Sequence, residues 1–375
     1  MDSIKISILG DVCPTDDYRS FWDDGSAFDG VAEMIAESDL SISNLECPAT
    51  EYMSPMVKCG PCLKAKPQDV ALLKQKGFSL ISLANNHIKD YQEQGVLDTL
   101  EHCKKNDIEY VGAGRNCEEA KQARFFDIKG RRIGVLSFAE KEFNVATEAE
   151  AGANFFDAYE SPELISEYKK QCDYLVVLYH GGIEHYRYPS EMLQKKCRLM
   201  VRCGANAVIC QHSHCIGTYE YYKDGYILYG QGNGVYGYRS GNKAWNEGLL
   251  LTIELGEDTV IKEKLLSATE NTVIGASGEY EKDRMKQFHE ESEKLNDEQF
   301  LREEWVRFCR KNRALNLPLL FGKNRVVIKI NRITKNRLFR VLVPRSREMI
   351  TMNLVRCDAW REVLTTLLEL DVYGE

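Results

Sequence analysis

The sequence predicts an α/β fold built on a largely parallel sheet that is covered on both faces. Two observations support this prediction: short, nearly continuous apolar runs alternate with amphipathic segments of helical period, and several of the runs end at polar residues. Because such sheets bind ligands at the carboxyl ends of their strands, the polar tips are the first candidates for a functional site.

Five apolar runs predict the strands that carry these tips. In chain order they are Ile4–Leu9, Leu40–Ser43, Phe78–Ala84, Tyr174–Tyr179 and Ala205–Cys210. Segments with a period of ~3.6 residues predict the intervening helices. These helices are Val31–Glu37, Asp69–Lys76, Glu93–Lys105, Ser161–Gln171 and Glu191–Cys203.

The polar tips carry the donor atoms that divalent cations prefer. They are Gly10-Asp11, Asn44-Leu45-Glu46, Asn85-Asn86-His87, His180 and His212-Ser213-His214. Carboxylate, imidazole and amide oxygen groups bind Mn²⁺, Fe²⁺ or Zn²⁺. Two such ions ~3.5 to 4 Å apart would activate a hydroxide and neutralise charge in a transition state. The tips therefore predict a two-metal hydrolase site, although Asn44 and Asn85 could simply stabilise turns.

Composition limits the classes of protein that the chain can belong to. The chain has 375 residues, 43% of them hydrophobic, and a formal net charge of -8, which argues against a nucleic-acid-binding protein. No apolar run of ~18 residues is present, so we expect no membrane span and a cytoplasmic protein. Thirteen cysteines without framework spacing indicate free thiols in a reducing compartment.

The Cys59-Gly-Pro-Cys62 segment has the residue pattern of a thioredoxin active site. That chemistry needs a strand before the first cysteine and a helix directly after it. Here a polar loop comes first, and a helix is expected only from Gln68 or Asp69 onwards. A loop turn is the simpler interpretation, with a redox site as the alternative.

Beyond about residue 267 the composition changes. We expect a domain over residues 1–270 and a mostly helical, locally basic region over 271–375, with a closing helix over Asp358–Leu370. The basic residues alternate with Val, Ile and Leu; they are Arg325, Lys329, Arg332, Lys335, Arg337, Arg340, Arg345 and Arg347. They form either a solvated helix face or a docking surface for an anionic polymer, a lipid head group or an acidic partner.

An ordered set of segments resembles the bacterial CapA family, which is named for capsule and poly-γ-glutamate synthesis. The segments are NLECPAT from Asn44, SLANNHIKDYQEQGVLDTL from Ser82, HGGIEHYRYPS from His180 and GANAVICQHSHCIGTYEYYKDGYILYGQGNGVY from Gly204. The resemblance covers about Ile4 to Ser267 and implies a layered, calcineurin-like metallophosphatase sandwich of mixed sheets flanked by helices. It also implies a role in surface-polymer metabolism.

The metallophosphoesterase pattern implies a role for each tip. Asp11 would be the first-strand ligand and Glu46 would stand at the bridging position. Asn86, His180 and His212 would complete one metal, and Asp11, Glu46 and His214 would hold the other. His87 would act as general acid and Glu184 would orient a ligand or contact substrate. Asn44, Asn85 and Asn233 are candidate substrate contacts. Cys13 stands where the pattern has a histidine, so it is either a thiolate ligand or marks an open coordination position.

Departures from the family pattern leave the substrate open. Gly181 replaces a usual Trp, Gln211-His212-Ser213-His214 replaces a GHHPH-like string, and Gly232-Asn233-Gly234 replaces GNF. We expect a metal-dependent hydrolase that cleaves a phosphoester, or an amide or ester such as a γ-glutamyl bond. The alternative is a non-catalytic assembly subunit that keeps the fold and binds an anionic polymer or a polymer-synthesis enzyme.

Overall fold

The computed structural model describes residues 3–58, 60–320, 325–335 and 337–356, together with positions 364 and 368. The chain divides into two compact units, Met1–Glu298 and Gln299–Glu375. Cys59 and nearly all of the closing helix predicted over Asp358–Leu370 lie outside the described residues. In the described part, no helix combines the length and the apolarity needed to cross a membrane.

The strands of the first unit are numbered in chain order. They are β1 (Ile4–Val12), β2 (Leu40–Leu45), β3 (Leu80–Ser82), β4 (Glu109–Val111), β5 (Ala113–Gly114), β6 (Arg124–Ile128), β7 (Arg131–Ala139), β8 (Gly152–Ala153), β9 (Tyr174–His180), β10 (Ala207–Gln211), β11 (Tyr219–Tyr222), β12 (Gly225–Leu228), β13 (Glu247–Leu255), β14 (Thr259–Ala268) and β15 (Val273–Gly275).

Two mixed sheets form the centre of this unit. The first has the strand order β15-β14-β13-β1-β2-β3-β4, and the second has the order β11-β12-β10-β9-β7-β6. Strands β1 to β4 run parallel, whereas β13 pairs with β1 antiparallel. In the second sheet β7, β9, β10 and β12 run parallel and β6 and β11 pair antiparallel at its edges.

The five helices predicted in the first unit begin and end close to the expected positions, and the structure adds further helices to them. In chain order the helices are α1 (Arg19–Asp23), α2 (Ala32–Ala36), α3 (Pro67–Gln75), α4 (Gln92–Lys105), α5 (Cys117–Ala120), α6 (Ser161–Lys169), α7 (Glu191–Arg202) and α8 (Gly278–Glu293). Ser190 caps α7 by accepting a hydrogen bond from the Leu193 amide at 3.2 Å. Such a cap satisfies one of the free amides at a helix start.

Two apolar cores bind the layers together. One core joins the facing sides of the two sheets, with Ile6 and Ile8 of β1 and Val176 and Leu178 of β9 among its buried members. The other lies between the outer face of the first sheet and helices α3 and α4. The predicted layered arrangement of mixed sheets flanked by helices is confirmed. A single, largely parallel sheet is wrong, because β13, β14 and β15 extend the first sheet antiparallel and a second sheet covers its inner face.

The second unit is helical in its described part, as the composition predicts. Its helices are α9 (Glu298–Leu320), α10 (Arg325–Ile333), α11 (Arg337–Leu342) and α12 (Arg345–Arg356). Helix α8 and strand β15, which we grouped with the C-terminal region by composition, lie in the first unit.

Candidate metal centre

The polar tips of both sheets meet at one place. Asp11 lies in β1, Glu46 directly follows β2, His180 ends β9 and His212 directly follows β10. The first two belong to one sheet and the last two to the other. All four side chains are buried, so the fold concentrates two carboxylates and two imidazoles in a region shielded from water.

Two overlapping sets of donor atoms have the geometry of metal sites. In the first set, one ligand atom each from Glu46, His180 and His212 lies within 4.8 Å of the others, and in the second the same holds for Asp11, Glu46 and His214. Glu46 is common to both sets. Carboxylate and imidazole donors at this spacing are suited to divalent cations, so the residues present fit a metal centre.

The buried polar atoms that lack partners support this fit. Among the described residues, three buried atoms of the donor sets have no hydrogen-bond partner. They are the two carboxylate oxygens of Glu46 and the Nδ1 atom of His212. An unsatisfied buried polar group is costly, and a buried carboxylate more so, unless an ion or a water compensates. A divalent cation between these atoms would supply the missing interactions.

Asp11 is held in place from two directions. Its Oδ1 atom accepts a hydrogen bond from Asn44 Nδ2 at 2.7 Å, and its Oδ2 atom accepts one from the His212 backbone amide at 3.0 Å. The pairing of β1 with β2 shifts register between Ile8 and Asp11. Burial alone would raise the pKa of Asp11, but His180, His214 and Asn44 lower it to about 2. The carboxylate is therefore ionised, as a metal ligand must be.

His180 connects the carboxylates to Asn86. Its Nε2 atom lies 3.4 Å from Glu46 Oε1 and donates to Asn86 Oδ1 at 3.0 Å, and its Nδ1 atom lies 3.6 Å from Asp11 Oδ1. Burial lowers the pKa of His180, but the two carboxylates outweigh burial and raise it to about 10. The Glu46 and Asp11 charges thus create a strong local preference for positive charge at this point.

His212 and His214 come from a tight turn that strains the backbone. Their φ angles are 88° and 48°, in the left-handed region that non-glycine residues rarely adopt. Burial and the neighbouring histidines lower the pKa of His212, which keeps its imidazole neutral. His214 contacts Asn233, whose Oδ1 atom accepts from Nδ1 at 2.9 Å, so Nε2 faces Glu46 at 3.8 Å.

His87 contacts a buried ion pair formed by Lys58 and Asp90. Its Nδ1 atom donates to Asp90 Oδ2 at 2.6 Å, and Lys58 Nζ lies 3.1 Å from the same ring nitrogen and forms an ion pair with Asp90 Oδ1. Both Lys58 and Asp90 are buried side chains. Asp90 also accepts from the Leu63 amide at 2.6 Å, which ties the loop before α3 to this group.

The three asparagines predicted as substrate contacts have their amides engaged within the protein. Asn85 donates to Asn44 Oδ1 at 3.2 Å and to the Leu45 carbonyl at 2.8 Å, and it accepts from the His87 amide at 3.1 Å. Asn233 donates to the Trp245 carbonyl at 2.8 Å. These contacts hold the ligand-bearing turns together.

Two other predicted site residues are not part of the donor sets. Glu184 is exposed, and Cys13 is buried with its Sγ atom 3.8 Å from Cys47 Sγ. Neither belongs to the groups of clustered ligand atoms found among the described residues. Cys62 donates to the Met56 carbonyl at 3.5 Å from a loop, and burial raises the pKa of its thiol. Its partner in the redox alternative, Cys59, lies outside the described residues.

Sequence reasoning missed an aromatic wall beside His214. The ring centroids of Trp245 and Tyr236 lie 4.8 Å and 4.9 Å from that of His214. The guanidinium carbon of Arg239 lies 3.1 Å from the centroid of the Trp245 ring. Lys58 and Asp90 were also missed. Asp90 stands three residues after His87, a spacing that could have indicated a pairing, whereas nothing in the spacing links Lys58 or Trp245 to the site.

The fold and the site together define a class of protein: an α/β sandwich with a buried, carboxylate- and histidine-rich centre. Residues 5–238 match the family described as Bacterial capsule synthesis protein PGA_cap, and this chain belongs to that family.

Two curated relatives come from the genus Bacillus. The chain is 32% identical over 180 residues to the capsule biosynthesis protein CapA of Bacillus anthracis, covering 46% of this chain and 44% of that one. It is 31% identical over 217 residues to the PGA biosynthesis protein CapA of Bacillus subtilis, covering 56% and 57%. The chain thus spans about half the length of these relatives.

Among solved structures, the chain is similar to one described as a novel phosphatase from Mycoplasma pneumoniae. The alignment has a TM-score of 0.44 at 12% identity and covers 71% of this chain and 94% of that chain.

Proposed function

We propose that this member of the capsule synthesis family is a hydrolase that depends on divalent metal ions, two of them when the site is full. The bond that it cleaves would be a phosphoester, or an amide or ester such as a γ-glutamyl linkage, in the metabolism of a surface polymer. The observation that carries the proposal is the pair of donor sets that share Glu46, whose carboxylate oxygens have no hydrogen-bond partner among the described residues.

The donor chemistry favours Mn²⁺, Fe²⁺ or Zn²⁺. Glu46, His180 and His212, with the Asn86 amide oxygen, would hold one ion, and Asp11, Glu46 and His214 the other. A bound divalent cation would supply Lewis-acid chemistry that polarises the phosphoryl or acyl group of a substrate. The thiol of Cys13 is engaged with Cys47, which supports a ligand set of oxygen and nitrogen atoms.

His87 is the proposed general acid. Because Asp90 engages its Nδ1 atom, Nε2 is the ring nitrogen left to pass a proton to a leaving group. Asp90 fixes the orientation and tautomer of the ring, and Lys58 balances the charge of Asp90. Asn44, Asn85 and Asn233 are proposed substrate contacts that would also hold the metal-binding residues in place. Glu184, being exposed, remains a candidate contact with substrate at the rim.

The family relationship supports a substrate from capsule or poly-γ-glutamate metabolism. We propose an anionic polymer, or a small phosphoester or γ-glutamyl compound, as substrate, and a polymer-synthesis enzyme as protein partner. A cytoplasmic location is part of the same proposal. Separating cell fractions and probing each with an antibody to this chain would test that location.

An activity assay tests the proposal. Protein stripped of metal and reloaded with Mn²⁺, Fe²⁺ or Zn²⁺ is offered p-nitrophenyl phosphate, bis-p-nitrophenyl phosphate and a γ-glutamyl anilide. We expect metal-dependent turnover of one class by wild type and by the control His102→Gln, whose histidine lies outside the site on α4. His87→Gln should bind metal but turn over slowly. Tight metal binding with no turnover of any compound would favour the non-catalytic assembly subunit.

A further inference from the structure

The second unit carries an unusual concentration of positive charge. Between Glu304 and Glu348 the sequence has thirteen Lys and Arg residues and no Asp or Glu, although the whole chain has a net charge of -8. A stretch of one sign in a chain of the opposite sign creates a local potential that attracts anions. The charge therefore favours an anionic surface or polymer as the partner of this unit.

Helix α10 adds an exposed apolar strip to this charge. Val326, Ile330 and Ile333 are separated by four and three residues, so they lie on one side of the helix. Their side chains are 64%, 43% and 73% exposed. The opposite side of the helix is covered, because Ile328 and Asn331 are buried. The strip is thus a distinct face of α10 rather than the result of a helix that is exposed all round.

Basic side chains border the strip. Lys329 is exposed and borders the strip, and exposed Arg332 lies further round the helix on the same side as Lys329. Helix α12 adds exposed Met349 and Met352, three residues apart on one side of the helix, whereas exposed Arg347 lies on the other side. Helix α10 therefore presents apolar and cationic groups together, and α12 adds further exposed apolar side chains.

The apolar strip decides between the anionic partners. A polyanion such as a polyglutamate chain would neutralise the basic residues, but it would leave Val326, Ile330 and Ile333 in water. An anionic bilayer satisfies both features, since apolar side chains enter the boundary of the acyl chains while Lys and Arg contact the head groups. We propose that α10, assisted by α12, binds in the plane of an anionic membrane surface. The unit would be a peripheral membrane-binding element, independent of the proposed hydrolase activity.

Vesicle flotation with the full chain tests this proposal. Neutral vesicles contain phosphatidylcholine alone, and anionic vesicles contain about one third phosphatidylglycerol. We expect wild type to float with the anionic vesicles only, and less so as salt concentration rises. Lys329→Gln with Arg332→Gln should weaken binding roughly fivefold for each charge removed. Ile330→Asn with Ile333→Asn should weaken it at least as much.

A matched variant controls for the loss of exposed apolar residues in general. Tyr159→Asn with Met192→Asn removes two exposed apolar side chains from the first unit and should float like wild type. Circular dichroism establishes that each variant is folded. Two outcomes would overturn the proposal. One is that wild type does not float with anionic vesicles, and the other is that Ile330→Asn with Ile333→Asn floats as well as wild type. If poly-γ-glutamate releases wild type from the vesicles and Ile330→Asn with Ile333→Asn leaves flotation unchanged, the partner is an anionic polymer instead.

Discussion

The Glu46 carboxylate lies 3.4 Å from the His180 ring, measured from Oε1 to Nε2, and both side chains are buried. The two residues come from different sheets, so this contact forms only when the sheets pack on each other. The same carboxylate lies 3.8 Å from His214 Nε2. Glu46 is therefore the point at which the two donor sets join.

Replacing Glu46 should affect both metals at once. Glu46→Gln keeps the size of the side chain but removes the charge shared by the two donor sets. We expect the affinity for Mn²⁺ to fall more than ~100-fold, beyond the loss typical of an outer-shell residue. Isothermal titration measures it, with Glu184→Gln as the control because Glu184 is exposed and lies outside the donor sets. Equal affinities for the two variants would refute a shared ligand.

Asn233 should act through the orientation of His214. Asn233→Ala removes the acceptor for His214 Nδ1, and we expect about 10-fold weaker metal binding. Asn233→Asp keeps an acceptor oxygen at this position and loses only the bond to the Trp245 carbonyl, so it should bind metal more tightly than Asn233→Ala. If the two variants bind metal equally well, the hydrogen bond to His214 has no orienting role.

The Lys58 and Asp90 pair should stabilise the fold as a unit. Lys58→Met leaves the buried Asp90 carboxylate without its cation, and breaking a buried pair costs about 3 to 5 kcal/mol in the free energy of unfolding. Adding Asp90→Asn removes the stranded charge, so the double variant should be less destabilised than the sum of the single variants. Urea denaturation of the four proteins measures this coupling. Simple additivity would mean that the two residues do not interact.

Gly248 should be required because the Asn233 turn packs on it. A Cβ atom at Gly248 would lie 1.8 Å from the Asn233 carbonyl oxygen, a distance that forces backbone movement. Gly248→Ala should therefore shift the Asn233 turn, lower Tm and weaken metal binding. Gly256→Ala is the matched control, since its nearest atom would be 3.6 Å away. Thermal unfolding and metal titration of both variants measure the two effects, and a Gly248→Ala protein that matches the control would contradict this packing argument.

Local patterns in the sequence account for much of the fold. The predicted run Ile4–Leu9 lies within β1, and the predicted helix Glu93–Lys105 lies within α4, because apolar periodicity encodes burial directly. Strands β6 and β7 were missed for different reasons. Strand β6 is only partly buried and lacks a clear apolar run, whereas β7 has a buried apolar run from Ile133 that the sequence analysis did not assign to a strand. The pairing of two sheets also could not be deduced, because the periodicity of a strand does not specify what covers its face.

The residues at the ends of the predicted strands made much of the candidate site predictable. Asp11, Glu46, His180 and His212 follow apolar runs, and the structure brings them together at the meeting point of the sheets. Partners that arise from long-range packing left no local pattern. Lys58 pairs with Asp90 across a loop, and Trp245 reaches His214 from a segment just before β13. Only the tertiary structure juxtaposes such residues.

Metal content is the most direct measurement of the central claim. Elemental mass spectrometry of untagged protein, purified without chelator, would be compared among wild type, His212→Ala and the control His102→Ala. We predict one to two equivalents of Mn, Fe or Zn in wild type and in the control, and a loss of metal in His212→Ala. Wild-type protein that holds no metal even after reconstitution, or a His212→Ala variant that keeps the full amount, would contradict the assignment of a metal centre.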